Sequence, residues 1–356
     1  MATSQVTPQI NIKFLEDVAN SVKMQPRGHV VLILNDSTLT DNIKIFKKIS
    51  EVEGLTAENI QYVKDVFVGG SAKVTILNIR DTFTIDKAIK ALDNIKANYV
   101  GVLSAETLHH TALSKYIKAT DKALRTLKGV TYKINNQDCM HLINIVNENV
   151  VFNDERGTQD GWKVIPYILG VLAGMPLTRG ATNFNLTELA SVTNVDDVEA
   201  EAKKGNFVLN FDGEKVKVVA GINTLTTVDR DHSEAMKSVV VLEAMDLIRD
   251  DIEANFKLYI GGYKNTYSVQ MMILTSIKAY FKELTRLEVL DPEFNNNITQ
   301  DVQAMRLYWE SKGQDMSKLS DGDVRKRTCG KNVYFVASIK ILEVIENFDL
   351  KVFLTV

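Results

Sequence analysis

Apolar positions in the first part of the chain follow two patterns in turn. Short continuous apolar runs predict buried strands, and apolar residues spaced three or four apart predict amphipathic helices. Strands that alternate with helices are typical of an α/β layer with a partly parallel sheet. The predicted strands are 28–34, 73–79, 98–103 and 130–134, and the predicted helices are 44–49, 57–67, 85–95 and 108–127, the last ended by Gly129.

From about residue 157 the pattern changes. A nearly all-apolar helix is predicted at 162–174, and a hairpin is predicted around Asp212-Gly213, which is a strong turn signal. A long helix is predicted from Asp231, with Glu234 completing a capping box. A helix is also predicted at 267–287, and a polar stretch at 311–331 precedes a last predicted strand pair at 332–343 and 348–356.

Both ends of the sequence carry the alternation of a half-buried strand. Ile10, Ile12 and Phe14 alternate with polar residues near the start. Near the end, one face of a strand would carry Phe348, Leu350, Val352, Leu354 and Val356. A single strand with an apolar face needs a sheet to join. Two interpretations are open: the end strands complete the chain's own sheet, or they join the sheets of neighbouring molecules.

Composition narrows the class of protein without identifying it. Of the 356 residues, 45% are hydrophobic and 24% are charged, and the net charge is −3, so no basic excess is present to bind nucleic acid or an anionic membrane. Cys139 and Cys329 stand in no CxxC-type motif, which argues against a zinc site or a disulfide framework. The first residues lack a signal-peptide pattern, and no apolar run approaches the ~18–20 residues of a membrane span.

Motifs that would indicate an enzyme are missing from the sequence. There is no GxxxxGK[ST] loop, no GxGxxG turn and no GxSxG elbow. Gly69-Gly70 follows a predicted helix and precedes a strand, which is the wrong order for binding phosphate. We therefore expect no catalytic residue, no cofactor and no metal site.

Four polar or glycine-rich clusters have structural interpretations. Adjacent His109 and His110 would point apart on a helix, so we interpret them as solvated or capping residues. Residues 229–232 favour the start of a helix, and the GxxxG pattern at 170–174 favours close packing of a buried helix. The most basic stretch, Arg325, Lys326 and Arg327 with nearby Lys331, is either a site for an acidic partner or a solvated loop.

Blocks of the second half, taken in order, resemble the contractile tail sheath proteins of phages and R-type bacteriocins. They are AGMP at 173–176, the Asp212-Gly213 hairpin, GINTLTT at 221–227, YIGGYKN at 259–265, and the final strand. The resemblance extends from about residue 20 to the end of the sequence. The short length is similar to the compact sheaths of PBSX-type defective prophages and of bacteriocins such as diffocin.

The resemblance implies a fold and a function. The fold would be α/β (α+β), with a mixed sheet and N- and C-terminal strand arms that extend the sheet of neighbouring subunits. The protein would be a structural subunit and not an enzyme. It would form stacked hexameric rings around an inner tube, and would contract to drive that tube through a cell envelope. The alternative is a cytoplasmic α/β enzyme or a ligand-binding protein with an unrecognised site.

The resemblance also implies domains and partners. Residues 1–20 would form an N-terminal arm, 21–150 an outer α/β domain, 151–343 the inner, lattice-forming domain, and 344–356 a C-terminal arm. The partners would be neighbouring sheath subunits, the inner tube protein, and baseplate and tail-terminator proteins, without nucleic acid or membrane insertion. Arg325, Lys326, Arg327 and Lys331 are candidates for contact with the tube. Synthesis is expected in the bacterial cytoplasm, followed by assembly into a particle released by lysis.

Overall fold

The computed structural model describes residues 22–257, 259–347 and 349–353. Within them, contacts separate two units. The larger unit is the described part of Gln25–Asp250 with Ile341–Val356, and the smaller is the described part of Met1–Met24 with Asp251–Lys340. Six residues of the predicted strand arms lie outside the described residues: Ile10, Ile12, Phe14, Phe348, Leu354 and Val356.

A seven-stranded sheet lies at the centre of the larger unit. Every pair of neighbouring strands is parallel except the pair at one edge, where β2 is antiparallel to β3. The mixed α/β class expected from the sequence is therefore confirmed. In spatial order the strands are β10 (Asn206–Phe207), β6 (Leu142–Ile145), β5 (Lys128–Tyr132), β4 (Tyr99–Val102), β1 (His29–Leu34), β3 (Lys73–Asn78) and β2 (Ile43–Phe46).

Helices cover both faces of this sheet. They are α1 (Ala57–Val68), α2 (Ile85–Ala91), α3 (Thr107–Lys122) and α4 (Ile165–Gly174), followed later by the short α5 (Val198–Lys203). Successive side chains of a strand point to opposite faces, so Val30 and Leu32 of β1 join the core formed with α1 and α4. Val31 and Ile33 join the core formed with α2 and α3. Coverage on both faces explains why the strands are continuous apolar runs.

Smaller sheets complete the larger unit. Strand β7 (Asn149–Phe152) lies between β8 (Thr158–Asp160) and β9 (Leu189–Val192), antiparallel to both. Strands β11 (Leu209–Phe211) and β12 (Val216–Val218) form the predicted hairpin, whose turn is closed by the Asp212 carboxylate. The domain boundary predicted at 150 falls inside β7, and the assignment of outer and inner domains stays a prediction.

The smaller unit is mainly helical. The helix α6 (Val239–Phe256) begins in the larger unit, and its residues from Asp251 onward belong to the smaller one. It is followed by α7 (Tyr267–Arg286), α8 (Val302–Glu310) and α9 (Asp321–Lys326). Strands β13 (Asn297–Gln300) and β14 (Phe335–Ser338) pair antiparallel. Among the described residues, no helix is both long and apolar enough to cross a membrane.

Several predicted elements were wrong in type or bounds. The predicted helix at 44–49 is strand β2 followed by a 3₁₀ turn, because pairing with β3 decides the structure of so short an apolar segment. The long helix begins at Val239 and not at Asp231, since the Asp229 carboxylate accepts hydrogen bonds from the backbone of Asp231 and His232 and closes a turn there.

The last predicted strand pair was also wrong. Strand β14 lies within the predicted 332–343 segment, but its partner is β13 and not the 348–356 segment. The polar stretch at 311–331 contains α9. Gly129 does not end α3, which stops at Lys122. It lies within β5, where a Cβ atom would come 2.8 Å from Cγ1 of Ile117, so glycine permits close packing of α3 on the sheet.

The GxxxG pattern has the predicted role of close helix packing. The helix α4 crosses α1 so closely that a Cβ atom on Gly170 would lie 2.2 Å from the backbone oxygen of Val66. At Gly174 a Cβ atom would lie 2.6 Å from the backbone of Gly70. Backbone atoms cannot rotate away as a side chain can, so any larger residue would push the two helices apart.

We predict that Gly170→Ala destabilises the protein by about 1–3 kcal/mol through overpacking. The measurement is urea unfolding followed by circular dichroism. The control is Gly322→Ala in α9, where the nearest atom to an added Cβ is 3.8 Å away. Alanine is the better helix former, so the control should be neutral or slightly stabilising. Equal unfolding midpoints for Gly170→Ala and the native chain would contradict the close-packing interpretation.

Candidate functional site

The C-terminal segment of the larger unit is largely exposed in its described part. Its start is held at two points: Val344 packs beside Gly180, and Thr182 Oγ1 donates a hydrogen bond to Glu346 Oε1 over 2.6 Å. Beyond these contacts Leu350 is 66% exposed and Phe353 is 90% exposed. Val352 is similarly exposed, and residues 349–353 form no strand with another described segment. The described members of the predicted C-terminal arm therefore present apolar side chains to solvent.

The two-stranded sheet of the smaller unit has unoccupied edges. Within the described residues, β13 pairs only with β14, and β14 only with β13. Val336 of β14 is half exposed. A two-stranded sheet is marginal alone, and each outer edge presents backbone donors and acceptors that can pair with a further strand.

The basic cluster lies at and beyond the end of α9. Arg325 and Lys326 form the last turn of that helix, where positive charge is favoured by the helix dipole. Arg327 donates to the Gln314 side chain over 3.3 Å, and its guanidinium lies 6.0 Å from the Trp309 ring centre. Lys331 follows a turn that begins at Cys329. In the part of the chain that the structure describes, none of these four cations pairs with a carboxylate, and all are exposed.

The prediction that both histidines are solvated or capping residues was wrong for His110, which is 1% exposed. His109 Nδ1 lies 2.9 Å from Ser104 Oγ, and His110 Nε2 lies 2.9 Å from the backbone oxygen of Ser104. Both therefore fasten the loop before α3. Burial lowers the pKa of His110, which keeps that ring neutral. Within the described residues, no group of three or more histidine, cysteine or acidic side chains is placed to hold a metal ion.

A groove of about 630 Å³ lies between α5, the 3₁₀ turn Glu234–Lys237 and the start of the C-terminal segment. Its lysines pair with acids on its own walls: Lys203 with Glu199 over 2.6 Å, and Lys237 with Glu234 over 2.9 Å. These charges are already neutralised by one another, so they do not converge on the space as the polar groups of a ligand site do.

The strongest concentration of buried charge lies where α6 crosses the amino ends of the parallel strands. Parallel strands begin at the same edge of a sheet. Arg27 precedes β1, Tyr99 opens β4, Lys128 opens β5, and His141 directly precedes β6. Their side chains meet Glu243 and Asp246, which stand one turn apart on α6. We call these six residues the amino-edge cluster.

Lys128 is the centre of the amino-edge cluster. Its side chain is 1% exposed, and its Nζ atom lies 3.0 Å from Glu243 Oε1 and 2.7 Å from Asp246 Oδ2. Arg27 also pairs with Glu243, and the Tyr99 hydroxyl donates to it over 2.6 Å. Burial alone would raise the pKa of Glu243, but the charges of Lys128 and Arg27 prevail and lower that pKa to about 2. Glu243 is therefore held as a carboxylate.

Sequence reasoning missed the amino-edge cluster. The visible signal was a pair of acids three residues apart, Glu243 and Asp246, in the otherwise apolar start of α6. Charged residues at such a spacing normally mark a solvated helix face, whereas an apolar stripe such as that of Val240, Ala244 and Ile248 marks the packing face. That stripe is indeed buried. The acids are buried as well because their partners converge from four separate segments.

Comparisons with known proteins agree over most of the chain. Residues 231–355 match the family of the phage tail sheath C-terminal domain. A tail sheath protein from Clostridium phage phiCD119 is 26% identical over 359 residues, covering 96% of this chain and 98% of its own length.

Solved structures of low sequence identity share the fold. The sheath tail protein from Desulfitobacterium hafniense superposes with a TM-score of 0.70 at 11% identity, over 85% of this chain and 93% of that one. The helical sheath of the anti-feeding prophage in its contracted state gives a TM-score of 0.71 at 13% identity, over 98% of this chain and 99% of that one.

We predict that Lys128→Met destabilises the larger unit by about 3–5 kcal/mol, because Glu243 and Asp246 would remain buried without their shared cation. The measurement is urea unfolding near neutral pH. The double variant Lys128→Met with Glu243→Gln is the matched control, since it removes one charge of each sign. It should recover part of the loss. If the two substitutions lowered the free energy of unfolding independently, the double variant would be less stable than Lys128→Met by the whole effect of Glu243→Gln alone. That result would contradict an energetic coupling between Lys128 and Glu243.

Proposed function

We propose that this chain, whose residues 231–355 match the family of the phage tail sheath C-terminal domain, is the structural subunit of a contractile tail sheath. The match over residues 231–355 carries the proposal, supported by likeness to sheath proteins over nearly the whole chain. Subunits would stack as hexameric rings around an inner tube and contract to drive that tube through a target envelope.

The proposed subunit does its work through contacts and not through catalysis. In a helical assembly every subunit makes the same interfaces, so a small gain in contact free energy per subunit adds over the whole sheath. No hydrolysis is then needed. The competing class, a cytoplasmic enzyme or ligand-binding protein, would need convergent polar groups, and the two lysines of the 630 Å³ groove pair with acids on its own walls instead.

Strand exchange between subunits is the proposed link. The C-terminal arm offers exposed Leu350 and Val352, and the β13–β14 sheet offers edges without a second partner among the described residues. Adding a strand to such an edge supplies main-chain hydrogen bonds, while alternate side chains enter the apolar face. We extend the same role to the N-terminal arm through Ile10, Ile12 and Phe14.

The remaining roles follow the predicted domains. Residues 151–343 would form the inner, lattice-making region, and residues 21–150 would supply more of the outer surface. Further proposed partners are the inner tube, the baseplate and the tail-terminator proteins. The particle would be a phage tail or a bacteriocin, assembled in the bacterial cytoplasm and released by lysis.

We predict that deleting residues 348–356 abolishes polymerisation and leaves dispersed subunits. The reason is that the deleted strand would supply the main-chain hydrogen bonds between neighbours. The full-length chain should form hollow striated cylinders by negative-stain electron microscopy, and the truncated chain should not. Circular dichroism must show that the truncated chain is folded.

Two double variants of full length test whether the apolar face of the strand matters, apart from the length of the chain. Leu350→Asn with Val352→Asn removes the apolar face, whereas Asp349→Ser with Lys351→Ser changes the same number of residues on the opposite face. Only the first pair should block cylinders. Cylinders of normal length from the truncated chain would exclude the C-terminal arm as the link.

We further predict that replacing Arg325, Lys326 and Arg327 with serine weakens binding of the sheath to its tube. The removed cations are exposed and lack carboxylate partners among the described residues, so they are available for an acidic tube surface. The measurement is co-purification of tube with sheath at low salt. The control replaces Lys87, Lys90 and Lys115, three exposed lysines of α2 and α3. Equal tube recovery from both variants would remove the basic cluster from the tube interface.

A further inference from the structure

His141 stands at the edge of the amino-edge cluster with a carboxylate on each ring nitrogen. Nδ1 lies 2.6 Å from Asp121 Oδ1, and Nε2 lies 2.9 Å from Asp246 Oδ1. The ring is 2% exposed. A carboxylate only accepts hydrogen bonds, and a neutral imidazole has only one N–H to donate. Both contacts are satisfied together only by the doubly protonated ring.

We propose that His141 is a proton-dependent latch, whose imidazolium form ties α6 to the sheet and to α3 and whose neutral form releases one of the two ties. The released tie is either that to Asp246 on α6 or that to Asp121 on α3. The site is distinct from the strand arms and the basic cluster, and it does not depend on the proposed function.

Charge balance supports the protonated form. The cluster with Asp121 holds three carboxylates: Asp121, Glu243 and Asp246. Arg27 and Lys128 supply two cations, so the His141 proton brings the buried group to neutrality. An uncompensated buried charge is costly. Loss of the proton would leave one excess negative charge beneath α6.

Several elements of the larger unit pack around His141 and bring charged groups close to it. Their charged and titratable groups are Asp121 and Lys118 of α3, Lys128 of β5, Cys139 of the preceding loop, Glu243 and Asp246 of α6, and His232 before α6. Burial alone would lower the pKa of His141, and Lys128 acts in the same direction. The hydrogen bonds to Asp121 and Asp246 outweigh both and raise that pKa above 6.5.

Because the pKa of His141 is raised by folding, the stability that it contributes falls as pH rises. The stabilisation of the folded chain by protonated His141 is fully present below pH 6.5, the pKa of histidine in the unfolded chain. It is lost as pH rises through the higher pKa of His141 in the folded chain. His29 and His110 have lowered pKa values and titrate below this window. Among these three histidines, mildly alkaline pH should therefore release a tie only at His141.

The first test is the ring nitrogen spectrum of the full chain with ¹⁵N-labelled histidine. The chain has five histidines, and the His141 signals are those absent from His141→Gln. At about pH 7 both ring nitrogens of His141 should resonate as protonated nitrogens. One unprotonated His141 nitrogen at that pH overturns the proposal. Sedimented polymer studied by solid-state NMR gives the same readout if the chain assembles.

The second test is the pH profile of unfolding between about pH 6 and pH 9. The urea midpoint of the native chain should exceed that of His141→Gln most at low pH, and the gap should shrink as pH rises. His109→Gln is the matched control on α3 and should keep the native profile. Asp121→Asn, at the more exposed end of the latch, should reduce the slope without exposing Lys128. Parallel profiles for His141→Gln and the native chain would also overturn the proposal.

The latch has a consequence for a sheath, which rests on the proposed function. The helix α6 is the first helix of the matched region 231–355, whereas His141, Asp121 and Lys128 lie outside that region. Contraction of purified particles should therefore depend on pH with the native subunit and lose that dependence with His141→Gln. The same dependence in both would exclude a role in contraction. Failure to form any sheath would contradict the proposed function, while the ring spectrum would still decide the latch.

Discussion

The pairing of buried Lys128 with Glu243 and Asp246 is the interaction on which the placement of α6 depends. Apolar packing is non-directional and would tolerate a helix that slides along the edge of the sheet. A buried cation does not tolerate this, because a shift of one turn would leave it without its carboxylates. The ion pairs at 3.0 and 2.7 Å therefore fix the register of α6 against β5. Arg27, Tyr99 and His141 extend that constraint to three further strands.

Elements with a strong local signal could be predicted from sequence. The helices α1 and α7 begin at the predicted residues, and each begins after a threonine whose hydroxyl accepts a backbone N–H. The hairpin at Asp212-Gly213 is equally local. Strand β2 failed for the opposite reason. A segment of four residues has no period of its own, and its conformation is decided by β3, whose residues lie far along the chain.

The candidate sites also differ in whether their residues are close together in sequence. The alternation of apolar and polar residues near the end of the sequence could be recognised because it lies within one short segment. Leu350 and Val352 of that segment are exposed, and its role as an arm stays a prediction. The basic cluster was predictable because its arginines and lysines are consecutive. The amino-edge cluster was not, since its members stand at 27, 99, 128, 141, 243 and 246 and meet only through the parallel topology. Without that topology, Glu243 and Asp246 look like part of a solvated helix face.

A subunit proposed to work by contact alone needs two opposite properties. Its interior must resist deformation, so that free energy gained at an interface moves the whole subunit and is not absorbed within it. Close packing of α1 on α4 through Gly170 supplies this resistance, as do the buried ion pairs beneath α6. Its links to neighbours must flex without parting, which exposed strand arms joined to sheet edges would supply. The helix α6 is relevant to both requirements. Ion pairs fix its first part in the larger unit, and its last residues belong to the smaller unit, which contains the β13–β14 edges. In the proposed sheath subunit, rigidity at the amino-edge cluster would thus be the condition under which flexible arms could transmit force.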